Sequence, residues 1–332
     1  MLNRKLIALL ALLGVLAFVL AGCAPATPAA TEEPAPTEEM TEEPTEAPTE
    51  EPTPTEEPIT LGTEDDPIVM SFVPSGDADA VIASADAITE ALSEATGLVI
   101  EANVPTSYVG SIEAMCAGEA HIGTLNTFSY IVASQRGCAD VAVASVRFGS
   151  PTYTGQMITR ADSGITTIED LEGKTFCRVD EFSTSGWIIP SITMRAAGID
   201  PDTDLAEIVD AGGHPDVVRA VYNGDCDAGA TFVDARTNVQ EELPDVMEVV
   251  VVFAESDPIP NDTVSFIPDF PEEMRAQIVE ALLAMTEDPD QMQILNDLYR
   301  WEGLVEVDDS FYDGFRQVLE ASGVNVEDYV SD

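Results

Sequence analysis

Strand-like apolar runs alternate with helical patterns along most of this chain, starting near residue 67. The strand-like runs span residues 68–73, 98–103, 121–125, 141–147, 175–179, 205–209 and 228–233. The helical patterns between them span residues 80–95, 108–117, 128–136, 186–197 and 215–223. Strands that alternate with helices favour parallel-rich sheets covered by helices on both faces. The sequence therefore predicts an α/β fold.

The length of the folded part predicts two lobes, because one core rarely serves roughly 270 residues. We expect lobe I to be discontinuous (residues 65–155 plus 255–332) and lobe II to lie between (156–254). The chain would leave lobe I near 156–160 and return near 248–262; further helices are predicted at 274–285, 291–299 and 310–321. Ligands of open α/β sheets bind beyond the carboxyl ends of strands. The cleft between the lobes is therefore the predicted site.

The first 22 residues have the composition of an export signal. Arg4 and Lys5 precede an apolar run over residues 6–20, and small residues lead up to Cys23. The sequence Leu20-Ala21-Gly22-Cys23 resembles the bacterial lipobox, which implies that Cys23 is lipidated and anchors the protein to the outer face of the cell membrane. The alternative is a short uncleaved membrane anchor with an incidental cysteine.

Residues 24–63 repeat Thr-Glu-Glu-Pro and close variants, with very few large apolar side chains. Such a segment does not bury enough surface to fold, and its prolines and charges keep it extended. We interpret residues 23–63 as a lipidated cysteine followed by a disordered tether. A binding role for this segment is the alternative.

The chain carries a formal net charge of −49. Residues 65–332 hold 50 acidic and 11 basic residues, so the folded part keeps a net charge of −39. A nucleic-acid partner would require a basic face, and the charge excludes it. The charge also argues against anionic lipid headgroups as ligands, and it favours a solvated acidic surface.

Four cysteines follow Cys23: Cys116, Cys138, Cys177 and Cys226. An even number in an exported domain predicts disulfides, for which three pairings are possible. Local order favours Cys116–Cys138 and Cys177–Cys226, one bridge in each lobe. The spacings do not fit a zinc site, and the chain has only two histidines. We therefore expect no metal and no cofactor.

Three hydroxyl residues, Ser183, Thr184 and Ser185, stand between a predicted strand and the helix that Gly186 opens. A helix start leaves backbone N–H groups unpaired and carries the positive end of the helix dipole, so it favours an anion. One hydroxyl is explained by helix capping, but three are not. This turn is the leading candidate for an oxyanion site.

Four other residues follow a strand or begin a helix. His214 stands between two glycines and Pro215 as the expected cap of the next helix, where a neutral imidazole can donate one hydrogen bond. Tyr108 starts a helix, Tyr153 enters the predicted crossing between lobes, and Asp234 ends a strand. A carboxylate such as Asp234 can accept a hydrogen bond from a P–OH group or a ligand amine. Packing or capping is the alternative role for each of these four.

Five short motifs follow one another along the chain. In chain order they are Tyr-Val-Gly-Ser-Ile-Glu-Ala-Met (108–115), the segment 126–130, Ser-Thr-Ser-Gly (183–186), Gly213-His214 and Val-Tyr-Asn-Gly-Asp-Cys-Asp-Ala-Gly-Ala (221–230). Together they resemble the periplasmic phosphate-, phosphite- and phosphonate-binding proteins of ATP-driven (ABC) importers. The resemblance implies the two-lobed type II periplasmic binding protein fold, with the oxyanion on the Ser183–Ser185 turn. It further implies a cleft lined by Tyr108, Asn126, Thr127, Tyr153, His214 and Asp234.

The resulting hypothesis is a solute-binding lipoprotein that acts as a monomer. It captures a small phosphorus oxyanion with neutral donors alone and delivers it to an ABC permease with its ATPase. The alternatives are a sulfonate or organic amine as ligand, for which Asp77 in the first loop is a candidate contact, or a receptor-docking sensor. A secreted hydrolase with Ser183 or Ser185 as nucleophile is disfavoured, because Gly-x-Ser-x-Gly is absent around them.

Overall fold

The computed structural model describes residues 60–329. The predicted export signal, Cys23 and residues 24–59 of the tether lie outside the described residues. Residues 60–63, which we assigned to the tether, belong to the folded part: the Gly62 carbonyl accepts a hydrogen bond from the Val99 N–H (2.8 Å), and Leu61 packs against the core. No helix between residues 60 and 329 is long and apolar enough to cross a membrane.

The strands of the described part are β1 (Ile68–Phe72), β2 (Ile100–Asn103), β3 (Ile122–Leu125), β4 (Asp140–Val146), β5 (Thr152–Tyr153), β6 (Gly155–Arg160), β7 (Thr175–Arg178), β8 (Glu207–Asp210), β9 (Ala228–Phe232), β10 (Val250–Glu255), β11 (Ile259–Pro260), β12 (Thr263–Phe266) and β13 (Gly303–Glu306). The α-helices are α1 (Ala78–Thr96), α2 (Tyr108–Cys116), α3 (Thr127–Gln135), α4 (Ile189–Ala196), α5 (Pro201–Asp204), α6 (His214–Asn223), α7 (Val246–Val249), α8 (Glu272–Met285), α9 (Pro289–Tyr299) and α10 (Asp313–Ala321).

The strands form two main sheets. The first has the order β13-β4-β12-β3-β1-β2, and the second has the order β10-β6-β9-β7-β8. In the first sheet β2, β1 and β3 are parallel, and β12 runs antiparallel between β3 and β4. In the second sheet β8, β7 and β9 are parallel, and β6 runs antiparallel between β9 and β10. The predicted α/β class with parallel-rich sheets is confirmed.

A two-stranded ribbon of β5 and β11 connects the two sheets. Tyr153 pairs with Ile259 and Thr152 with Pro260 in antiparallel register. The chain passes from β4 through β5 into β6 of the second sheet, and it returns from β10 through β11 into β12 of the first. In each sheet, the strand that follows a crossing (β6 or β12) runs antiparallel to both of its neighbours.

Both predicted disulfides are present. Cys116 at the end of α2 is bonded to Cys138 after α3, with a Cα–Cα distance of 4.8 Å. Cys177 on β7 is bonded to Cys226 after α6, with a Cα–Cα distance of 5.8 Å. Each bridge joins elements that pack on the same sheet, which agrees with the pairing favoured by local order.

Candidate ligand site between the lobes

A cavity of about 380 Å³ lies between the two sheets. Seven of the residues predicted to bind ligand line it: Tyr108, Asn126, Tyr153, Ser183, Thr184, Ser185 and His214. Tyr108 and Asn126 stand at the starts of α2 and α3, Tyr153 lies on β5, Ser183–Ser185 follow β7, and His214 begins α6. The fold therefore brings together groups that are far apart in the sequence.

The Ser183–Ser185 turn has an unusually wide start. The Ser183 carbonyl accepts hydrogen bonds from both Trp187 N–H (2.9 Å) and Ile188 N–H (3.0 Å), so residues Thr184–Ile188 form one π turn before α4. The α-helix thus begins at Ile189, three residues later than predicted. Within the described residues, the N–H groups of Thr184 and Ser185 have no acceptor. These are the donors that a bound anion would use.

Gly186 makes this turn possible. Its N–H donates to the Ser183 hydroxyl (3.2 Å), which caps the helix start. A Cβ at this position would lie 2.6 Å from Ser183 Oγ and 2.6 Å from Val179 Cγ2. Only glycine allows the turn to pack this closely on the end of β7.

Two buried phenols lie beside the three hydroxyls. Tyr108 is next to Ser183, and Tyr153 is next to Ser185 and Thr184. Burial raises the pKa of both phenols well above its ordinary value. Both tyrosines therefore stay protonated at physiological pH and remain neutral donors.

His214 is also neutral, although its position differs from the prediction. Gly213 caps α6, and His214 is the first helical residue. Its Nδ1 lies 2.7 Å from the Thr231 hydroxyl, and Nε2 has no partner among the described residues. Burial, followed by the nearby Arg147 charge, lowers the pKa of His214 to about 3. The imidazole can therefore offer a neutral N–H to a ligand oxygen.

Arg147 and Asp262 line the same cavity, and sequence reasoning missed both. They form a buried ion pair between an Nη of Arg147 and Oδ2 of Asp262. The Arg147 guanidinium also lies 5.5 Å from the centre of the Tyr153 ring, and its buried Nε–H has no hydrogen-bond partner among the described residues. The expectation of a site built from neutral donors alone is wrong, because Arg147 brings a permanent positive charge into it.

Two predicted residues do not line the cavity. Asp234 forms an ion pair with Arg236 (2.6 Å) and accepts a hydrogen bond from Gln156 (3.1 Å). The Thr127 hydroxyl donates to the Pro260 carbonyl (2.5 Å), which fastens α3 to the ribbon between the sheets. Both side chains are occupied by structural partners. The acids that line the cavity are Asp77, Asp262 and Asp297, and Asp234 is not among them.

Direct contacts hold the two lobes together across the cleft. Asn126 caps α3 with its Oδ1, and its Nδ2 donates to the Phe182 carbonyl (2.9 Å) and to the Thr184 hydroxyl (3.0 Å). Asp77, proposed above as a contact for an amine, is paired with Arg219 of α6 (2.9 Å). These contacts connect elements on opposite sides of the cavity.

A family model for the periplasmic substrate-binding protein of phosphonate ABC transporters matches residues 70–312. The chain belongs to this family. Its extracytoplasmic setting and its small-molecule ligand class follow from that membership. The family is one of transport substrate-binding proteins and not of enzymes.

Individual relatives agree with this assignment. The phosphate-import protein PhnD of Mycolicibacterium smegmatis is 28% identical over 279 residues, which cover 77% of this chain and 86% of that protein. A binding-protein component of a phosphonate ABC transporter from Pseudomonas aeruginosa has a TM-score of 0.71 at 20% identity, covering 77% of this chain and 86% of its own. PhnD1 of Prochlorococcus marinus, solved with methylphosphonate, has a TM-score of 0.69 at 14% identity. The match covers 78% of this chain and 98% of that one. At such identities the two structures support the fold alone, which is the predicted two-lobed type II fold.

Proposed function

We propose that this protein captures a small phosphorus oxyanion (a phosphonate, phosphite or phosphate) in the cavity between its lobes and delivers it to an ABC permease. The observation that carries the proposal is the convergence of the Ser183–Ser185 hydroxyls, two unpaired N–H groups and two buried phenols on one cavity. All of these groups can donate a hydrogen bond, and a phosphorus oxyanion has several acceptor oxygens.

The energetics favour binding despite the acidic surface. Exposed charges are screened beyond ~8–10 Å at ordinary salt, so the net charge of the protein has little effect inside the cavity. A hydrogen bond to a charged group contributes ~1.5–3 kcal/mol. A few such bonds from the turn, together with Arg147, outweigh the screened repulsion.

The anchoring and the domain boundaries extend the same proposal. We infer that Cys23 is lipidated, that the tether lets the folded part stand off the outer face of the membrane, and that the protein works as a monomer. The two sheets and their connecting ribbon support lobe I as residues 65–155 plus 255–332 and lobe II as 156–254. A Cys23→Ser variant should appear in the soluble fraction, whereas the unaltered chain should fractionate with membranes.

Calorimetric titration tests the ligand class. The purified protein should release or absorb heat with at least one of phosphite, methylphosphonate, aminoethylphosphonate and phosphate. Methanesulfonate serves as the control, because it has three oxygens on a tetrahedral centre but no second ionisable proton. Binding of the sulfonate with no response to any phosphorus ligand would overturn the proposal and favour a sulfonate carrier.

A further inference from the structure

Asp262 places a carboxylate in the cavity in which we propose that an anion binds. Its side chain is only 10% exposed and lines the cavity meant for an anion. Oδ2 accepts from Arg147, whereas Oδ1 accepts no hydrogen bond among the described residues. Oδ1 is therefore free to accept a hydrogen bond from a ligand, and a fully deprotonated ligand beside it would meet like-charge repulsion. A ligand that brings its own O–H avoids this repulsion.

We propose, on the basis of the function proposed above, that the Arg147–Asp262 pair selects the singly ionised form of the ligand. In this form a P–OH group donates to Oδ1 of Asp262, while an anionic oxygen pairs with the guanidinium of Arg147, which lines the cavity. The doubly ionised form has no proton to donate and is rejected. The ligand class is therefore narrowed to oxyanions that still carry one acidic proton.

The pair is well placed for this role because both members are fixed. Arg147 directly follows β4, and Asp262 stands between β11 and β12, whose neighbour is β4. The Asp262 carbonyl accepts from the Ser145 N–H (2.9 Å), which ties its backbone to β4.

The other titratable groups around the pair do not change charge in the relevant pH range. Four phenols interact electrostatically with Asp262, namely Tyr108, Tyr153, Tyr299 and Tyr312, and burial raises the pKa of each. His214 faces Arg147, and its pKa is lowered to about 3, mainly by burial. None of these five groups changes charge between about pH 6 and 9, the range in which the ligand loses its second proton.

The test is the dissociation constant of methylphosphonate and of phosphite, measured by calorimetry from about pH 6 to 9. Above the second ionisation of each ligand, the dissociation constant should rise about tenfold for each pH unit. The onset should differ between the ligands by the difference in their second pKa values. The same slope should persist at about 0.5 M salt, where the acidic surface is screened.

Two variants show whether Asp262 causes the pH dependence of the dissociation constant. Asp262→Asn offers an N–H to the doubly ionised ligand, so its dissociation constant should be nearly independent of pH. Asp162→Asn is the matched control, since Asp162 is also paired with an arginine, Arg160, but is exposed and outside the cavity. It should keep the slope of the unaltered protein.

Several outcomes would overturn the inference. They are a flat profile in the unaltered protein, a common onset for both ligands, and an unchanged slope in Asp262→Asn. If Asp262→Asn does not fold, the two-ligand comparison still decides, because a protein group would titrate at one pH for both ligands. Failure of the proposed function looks different: no heat with any phosphorus ligand at any pH.

Discussion

Replacing Gly186 by alanine should remove the ligand site and destabilise the fold together. The added Cβ would lie 2.6 Å from both Ser183 Oγ and Val179 Cγ2, and 2.8 Å from Val179 Cβ. Because ordinary contacts lie near 3.4 Å or beyond, the turn or the end of β7 must move by several tenths of an ångström. Overpacking of this kind costs ~1–3 kcal/mol, and loss of the Ser183 cap adds ~1 kcal/mol. We expect a loss of about 2–4 kcal/mol in the free energy of unfolding.

Gly314→Ala is the matched control. Gly314 lies in α10, has no left-handed backbone angle, and a Cβ there would meet no atom within 4 Å. Alanine should therefore stabilise this helix by ~0.5–1 kcal/mol. Urea denaturation followed by circular dichroism measures both changes, and calorimetry with methylphosphonate should detect binding by Gly314→Ala only. Unchanged stability and binding in Gly186→Ala would refute the close packing of the turn.

Three further predictions concern closure, the second disulfide and acid stability. Asp77→Asn removes a half-exposed ion pair with Arg219 across the cleft, so the affinity for phosphate should fall by no more than about fivefold, and by less at high salt. A rise in affinity would mean that Asp77 mainly repels the ligand. A double alanine variant that lacks the Cys177–Cys226 bridge should lose about 4 kcal/mol in the free energy of unfolding, because the bridge closes a loop with a sequence separation of 49 residues. A melting temperature of the unaltered protein that does not change on reduction would contradict this prediction. The depressed pKa of His214 means that its neutral form contributes stability above the unfolded value of 6.5, lost as pH falls toward about 3. The acid-induced loss should therefore be about 3 kcal/mol smaller at pH ~4 in His214→Gln, and parallel pH profiles would contradict this.

The periodic part of the sequence predicts the fold well. The strands β1, β3, β7 and β9 and the helices α1, α2, α3 and α6 lie within two residues of the predicted ranges, because their apolar spacing is set by burial against a sheet. The strand β6 was not predicted, since Gly155–Arg160 mixes polar and apolar residues without a clear alternation. The π turn at Thr184–Ile188 also has no sequence signal, because it depends on close packing against Val179.

The sequence indicates candidate site residues where a local pattern marks them, but not where their role depends on pairing with a residue distant in the sequence. Three adjacent hydroxyls at a helix start mark the Ser183–Ser185 turn as a candidate. Asp234 is a poor candidate only because Arg236 folds back onto it, and Asp262 becomes a site residue only because Arg147 lies next to it in space. One signal for Arg147 was present: a scarce basic residue at the carboxyl end of a buried strand in a very acidic chain.

The Ser183–Ser185 turn is the part of the cavity on which we propose that the oxyanion is bound. A calorimetric titration compares Ser185→Ala with the unaltered protein, using the phosphorus ligand that binds most tightly. Loss of one hydrogen bond to a charged ligand should raise the dissociation constant by about 10- to 150-fold, with an unchanged circular dichroism spectrum. An unchanged dissociation constant in a folded Ser185→Ala protein would show that the ligand binds elsewhere.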